Sequence, residues 1–143
     1  MTGIIQRIVL AFALVAASLG LARAEVADAD REAFRNIISS QIEAFQRDDG
    51  ATAYGYASPT IQGLFPSAER FMAMVRSGYP PVYRPRSLSF GTAADTPRGP
   101  EQHVFITGPD GRNWVAIYSL QRQPDGTWRI NGCRLVEDTG ESI

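Results

Sequence analysis

The sequence predicts an α+β fold in which N-terminal helices pack into a curved four-stranded antiparallel sheet, and three observations carry that prediction. Apolar residues in the front half recur at spacings of three and four, the period of a helix with one buried face. After Tyr79-Pro80-Pro81 the period changes to two, the period of a strand. Two Pro-Asp-Gly tripeptides, 109–111 and 124–126, then separate the last runs as hairpin turns: proline presets one dihedral and glycine accepts a positive one.

The elements follow in order. From Asp30 to Arg47, Phe34, Ile37, Ile38, Ile42 and Phe45 form one stripe. Asp28 or Asp30 can cap this helix, and Asp48-Asp49-Gly50 ends it. Ala51–Ala57 predicts a short second helix. Ser58-Pro59 fits an N-cap with proline at the first helical position, opening a brief turn through Phe65. Ser67 caps a further helix, Ala68–Ser77, with Phe71, Met74 and Val75 on its face, and Gly78 stops it. Tyr79–Arg86, with prolines at 80, 81 and 85, reads as an extended connector. Strands are expected at Arg86–Phe90, Gln102–Thr107, Asn113–Arg122 and Thr127–Val136. Thr92–Pro100 reads as a loop or edge connection, and Glu137–Ile143 as a frayed tail. Strand Asn113–Arg122 is apolar on both faces, with Trp114, Ala116, Tyr118 and Leu120 on one side and Val115 and Ile117 on the other. Such a sheet either curls around a core and a cavity or is covered on its second face by another subunit.

Ahead of the helices, Met1–Arg7 carries one positive charge, Ile8–Leu21 is apolar, and Ala22-Arg23-Ala24 supplies the small residues of a cleavage site. That is the layout of a secretory signal, and the apolar run falls short of the about 20 residues that span a bilayer. The expectation is a cleaved leader, 1–24, then one α+β domain, 25–143, in the periplasm or secreted. The two arginines of the leader removed, 12 basic residues face 15 acidic ones, which is no footprint for nucleic acid or for a membrane surface. Every basic residue is arginine, so Schiff-base lysine chemistry and a P-loop lysine are excluded. The one cysteine, Cys133, lies in a strand and is expected to be buried rather than paired.

Three segments carry a family resemblance. Glu69–Arg76, the run Gly78–Arg86, and Gln123-Pro124-Asp125-Gly126-Thr127-Trp128-Arg129-Ile130-Asn131-Gly132-Cys133 resemble a family of exported bacterial proteins, the domain-of-unknown-function 4864 family, over about Ala33 to Val136. The Asp-Gly-x-Trp-Arg-Ile ending is also similar to the last strand of the nuclear transport factor two-like (cystatin-like) superfamily. That likeness implies a cone of helices in a curved sheet, a fold that serves isomerase-type enzymes, ligand-binding domains and dimeric assembly domains alike.

Few residues point to chemistry. His103 is the only histidine, and with no second ligand at metal spacing and no nucleophile elbow it reads as an edge-strand residue. Glu43, between Ile42 and Phe45, would become a general base if it faced the interior, or a surface partner of Arg47 if it did not. The run Tyr79–Arg86 alternates aromatic and cationic groups. Tyr79, Tyr83, Arg84 and Arg86, with Tyr54 and Trp128, are the candidate ligand-binding residues, an aromatic wall with arginines able to clamp an anion. No motif calls for a cofactor or metal. Three functions remain open: non-catalytic binding of a small ligand or partner in a cone-shaped cavity, an isomerase- or dehydratase-like enzyme using a buried carboxylate, and a homodimeric structural component.

Overall fold

The computed structural model describes residues 25–140; the expected leader and the last three residues lie outside them. Five helices precede a four-stranded antiparallel meander: α1 Asp28–Gln46, α2 Gly50–Gly55, α3 Pro59–Leu64, α4 Ala68–Gly78 and α5 Pro80–Tyr83, then β1 Ser87–Thr96, β2 Gly99–Thr107, β3 Asn113–Arg122 and β4 Trp128–Glu137. The strands pair in sequence order. This is the α+β arrangement that the two periodicities predict.

Helix α1 lays its stripe on the sheet: Phe34, Ile38, Ile42 and Phe45 are buried. Its N-cap is Ala27, which offers no side-chain bond, so Asp28 and Asp30 act from the first turn. There they complement the positive end of the helix rather than capping it. The chain leaves α1 through Asp48 at φ 53°, a left-handed position glycine usually takes and aspartate tolerates. Asp49, Ser58 and Ser67 then cap α2, α3 and α4 by accepting from the amides of Thr52, Ile61 and Arg70.

Two segments depart from what their sequence patterns predict. Tyr79–Arg86 is not extended, since Pro80–Tyr83 makes a helical turn. Both prolines occupy its first two positions, where no amide donor is needed, so they open a helix instead of preventing one. Of the two alternatives for Thr92–Pro100 the loop fails, because edge strand β1 continues to Thr96 and β2 begins at Gly99. A bulge between Phe90 and Ala93 shifts the register and scrambles the alternation that would reveal the strand. The Gln102 amide holds that bulge by donating to the carbonyls of Gly91 (3.1 Å) and Thr92 (3.4 Å). The turn closes on Gly99 at φ 106°, with the Thr96 hydroxyl donating to Gly99 O at 2.6 Å. The two Pro-Asp-Gly hairpins form as expected, with Gly111 and Gly126 at φ 85° and 87°.

The inner sheet face, Val104, Ile106, Ala116, Tyr118, Leu120 and Ile130, meets the helices and is buried. A second bulge, between Ser119 and Leu120, bends the β3–β4 pair. There the α2–α3 link docks as an extra bridge on edge strand β4: Ser58 N donates to Ile130 O at 2.8 Å, and Ile130 N to Tyr56 O at 2.9 Å. The Ser58 hydroxyl, fully buried, also donates to Asn131 Oδ1 at 2.7 Å. The open edge of β4 is thereby covered at Ile130, and helices α3 and α4 are held over that end of the sheet.

Candidate functional site

Holding α3 and α4 there leaves a space between them and β4, a cavity of about 180 Å³. Gln41 and Phe45 of α1 form its back, Phe71 and Val75 of α4 one wall, and Tyr118, Ile130 and Cys133 of the sheet the other. Ile61, Phe65 and Met74 also line it and are only half-buried, so the cavity reaches the surface beside them.

Four polar side chains line this apolar space, and two are already engaged. Gln41, buried, donates from Nε2 to Ala53 O at 3.1 Å. The Tyr79 hydroxyl donates to Cys133 O at 3.0 Å. Tyr118, 1 % exposed, has no hydrogen-bond partner for its hydroxyl. The Cys133 thiol lies beside it, on the strand position paired with Tyr118, near enough to feel the phenol but not in hydrogen-bond geometry with it. Burial raises all three acids: the Tyr79 phenol, the Tyr118 phenol well above its usual value, and the Cys133 thiol to about 12. The cavity is therefore neutral across the physiological range, and Cys133 is a thiol there, not a nucleophile.

The candidate residues do not converge on this space. Tyr79 lines it, but Tyr54 does not: its hydroxyl donates to the carbonyls of Gln62 and Phe65, and its ring packs 5.5 Å from Phe71. Tyr83 and Arg84 form a surface latch. The Tyr83 hydroxyl and Arg84 both bond Asp48, Arg84 at 3.0 Å and also to Phe45 O, and the guanidinium lies 4.1 Å over the Tyr83 ring. The Tyr83 bond, with the Arg84 charge beside it, holds the Asp48 carboxyl below its ordinary range. Arg86 is exposed beyond that latch. Trp128 stands at the other end, its indole donating to Asp30 at 3.3 Å and its ring edge-on to Phe34 at 4.9 Å.

Glu43 is exposed, so a carboxylate base there has no enclosed space to act in. His103 sits on the outer face of β2, an interior strand of the sheet rather than an edge, opposite Ile117. Among the described residues, no group of three His, Cys, Asp or Glu side chains is placed to hold a metal ion, and no helix is long and apolar enough to cross a membrane. The residues missed from the sequence, Gln41, Tyr118 and Cys133, look like ordinary core and strand positions, and only the pairing of β3 with β4 brings the last two together.

Fold and site define an α+β domain, five helices on one face of a four-stranded meander, with an apolar cavity under the sheet. The chain belongs to the family described as a domain of unknown function, DUF4864, whose model matches residues 27–143. No curated protein and no solved structure matches it.

Proposed function

We propose that the protein is a non-catalytic binding domain, working in the periplasm or secreted, that holds a small molecule in the cavity between α3, α4 and β4. One observation carries the reading: a mainly apolar cavity of about 180 Å³ opens beside Ile61, Phe65 and Met74. An apolar cavity of about 150 Å³ suffices to take up benzene, so this one suits a molecule of single-ring size. Helices followed by a four-stranded meander also support a place in the nuclear transport factor two-like superfamily, and the Ile8–Leu21 run with Ala22-Arg23-Ala24 supports export. A ligand present at a hundred times its Kd stabilises the fold by about 2.7 kcal/mol, several degrees in melting temperature. Screening single-ring compounds by thermal shift and native mass spectrometry is expected to give such stabilisation. Met74→Trp, filling the mouth, is expected to abolish it. No stabilisation and no bound species across the screen would refute the reading.

A second reading, homodimerisation, rests on the opposite sheet face. Phe105, Val115 and Val136 lie side by side across β2, β3 and β4, with Phe105 44 % and Val136 47 % exposed. Gly91 keeps this row flat, since a Cβ there would come within 2.7 Å of the Phe105 ring. Sedimentation velocity at high micromolar concentration is expected to show a dimer that Phe105→Glu dissociates. A monomeric parent protein would end this reading.

A further inference from the structure

Burial of a polar group is tolerated when the group is hydrogen-bonded, and an orphaned one signals a cost carried for some purpose. Among the described residues, four buried side-chain atoms lack a partner: Arg31 Nε, Gln102 Oε1, Trp114 Nε1 and the Tyr118 hydroxyl. Of these residues only Tyr118 lines the cavity. None of its neighbours there bonds it: Gln41 and Tyr79 direct their donors to Ala53 O and Cys133 O, and no acceptor lies within hydrogen-bond geometry of the Tyr118 hydroxyl. A thiol is in any case a poor acceptor.

We infer that the ligand is an uncharged molecule of single-ring size carrying one oxygen acceptor, a carbonyl or hydroxyl group, which the Tyr118 hydroxyl binds. This rests on the binding function proposed above and adds the chemical class. Charge is excluded by the lining, which contains no arginine and no carboxylate. The nearby Arg84 is held outside by Asp48 and Phe45 O. An anion would lose its hydration with nothing to replace it. A hydrocarbon of the same shape would leave the phenol as orphaned as before. Only a neutral acceptor both fits the walls and completes the bond, and a site built around one unmade hydrogen bond discriminates against the analogue that lacks it.

The test compares acetophenone with α-methylstyrene, which replaces the carbonyl oxygen by a methylene, and with benzoate, which adds a charge. Affinities come from amide chemical-shift titrations of the protein. Acetophenone is expected to bind about tenfold more tightly than α-methylstyrene, the worth of one buried hydrogen bond, and benzoate not to bind. Tyr118→Phe should erase the preference. The same variant should melt a few degrees higher than the parent, because it deletes an unsatisfied buried group and keeps the ring. A purely structural tyrosine would show the opposite sign. Equal affinity for acetophenone and α-methylstyrene in the parent protein, or preference for benzoate, overturns the inference while leaving the cavity a binding site. Silence from all three probes, with no hit in the wider screen, removes both. The parent comparison stands whether or not the variant folds.

Discussion

Unfolding the protein in concentrated urea near pH 8 is expected to speed alkylation of Cys133 by iodoacetamide at least about fiftyfold. In the native state burial pushes the thiol up to about 12, against 9.0 for a free one. At about pH 8 that shift alone lowers the thiolate fraction roughly a thousandfold. A thiolate of higher pKa is a better nucleophile, which returns about twentyfold of the loss. Access through the mouth beside Ile61 and Met74 then slows the folded protein further. The same shift has a stability consequence. A thiol whose folded pKa is raised is neutral in both states below about pH 9, so it adds no pH dependence there. Above that, the unfolded chain ionises while the folded one cannot, and stability falls as pH climbs from about 9 towards 12. Cys133→Ala should reduce that alkaline loss. Alkylation of native protein at the unfolded rate would show that the sulfur sits in water and that the cavity is not closed around it.

Phe34→Ala is expected to destabilise the fold by about 3–5 kcal/mol, the cost of emptying a fully buried aromatic site. Phe34 is fully buried in the stripe of α1 and meets Trp128 edge-on at 4.9 Å. Deleting the ring removes its burial and the aromatic pair, and leaves a void between α1 and β4. Because the Trp128 indole also donates to Asp30, loosening the ring should weaken that bond too. Urea unfolding followed by tryptophan fluorescence reads both effects, the midpoint for stability and the native emission for the environment of Trp128. A loss under about 1 kcal/mol would mean that α1 is not seated on the sheet as described.

How much of this was legible in the amino-acid order follows the range of each interaction. Helical stripes, the Ser58 and Ser67 caps, and both Pro-Asp-Gly hairpins depend on residues within a few positions of one another, and these appear in the structure where their patterns predict them. The Thr92–Pro100 segment escaped because one bulge reverses the phase of alternation, and the bulge is held by Gln102, in the next strand. The proline run escaped because the same fixed dihedral serves an extended chain and the first turn of a helix.

The site lies at the other extreme. Sequence alone established that the helices and strands must enclose an apolar interior, that lysine chemistry is absent, and which aromatic and cationic groups were available. Tertiary structure alone decided which of them meet. Asp48 draws Tyr83 and Arg84 to the surface, Asp30 holds Trp128 at the far end, and the β3–β4 register sets Tyr118 beside Cys133. The physical reason is that periodicity encodes which face of an element is buried, whereas a polar group's partner, or its lack of one, is settled by residues tens of positions away.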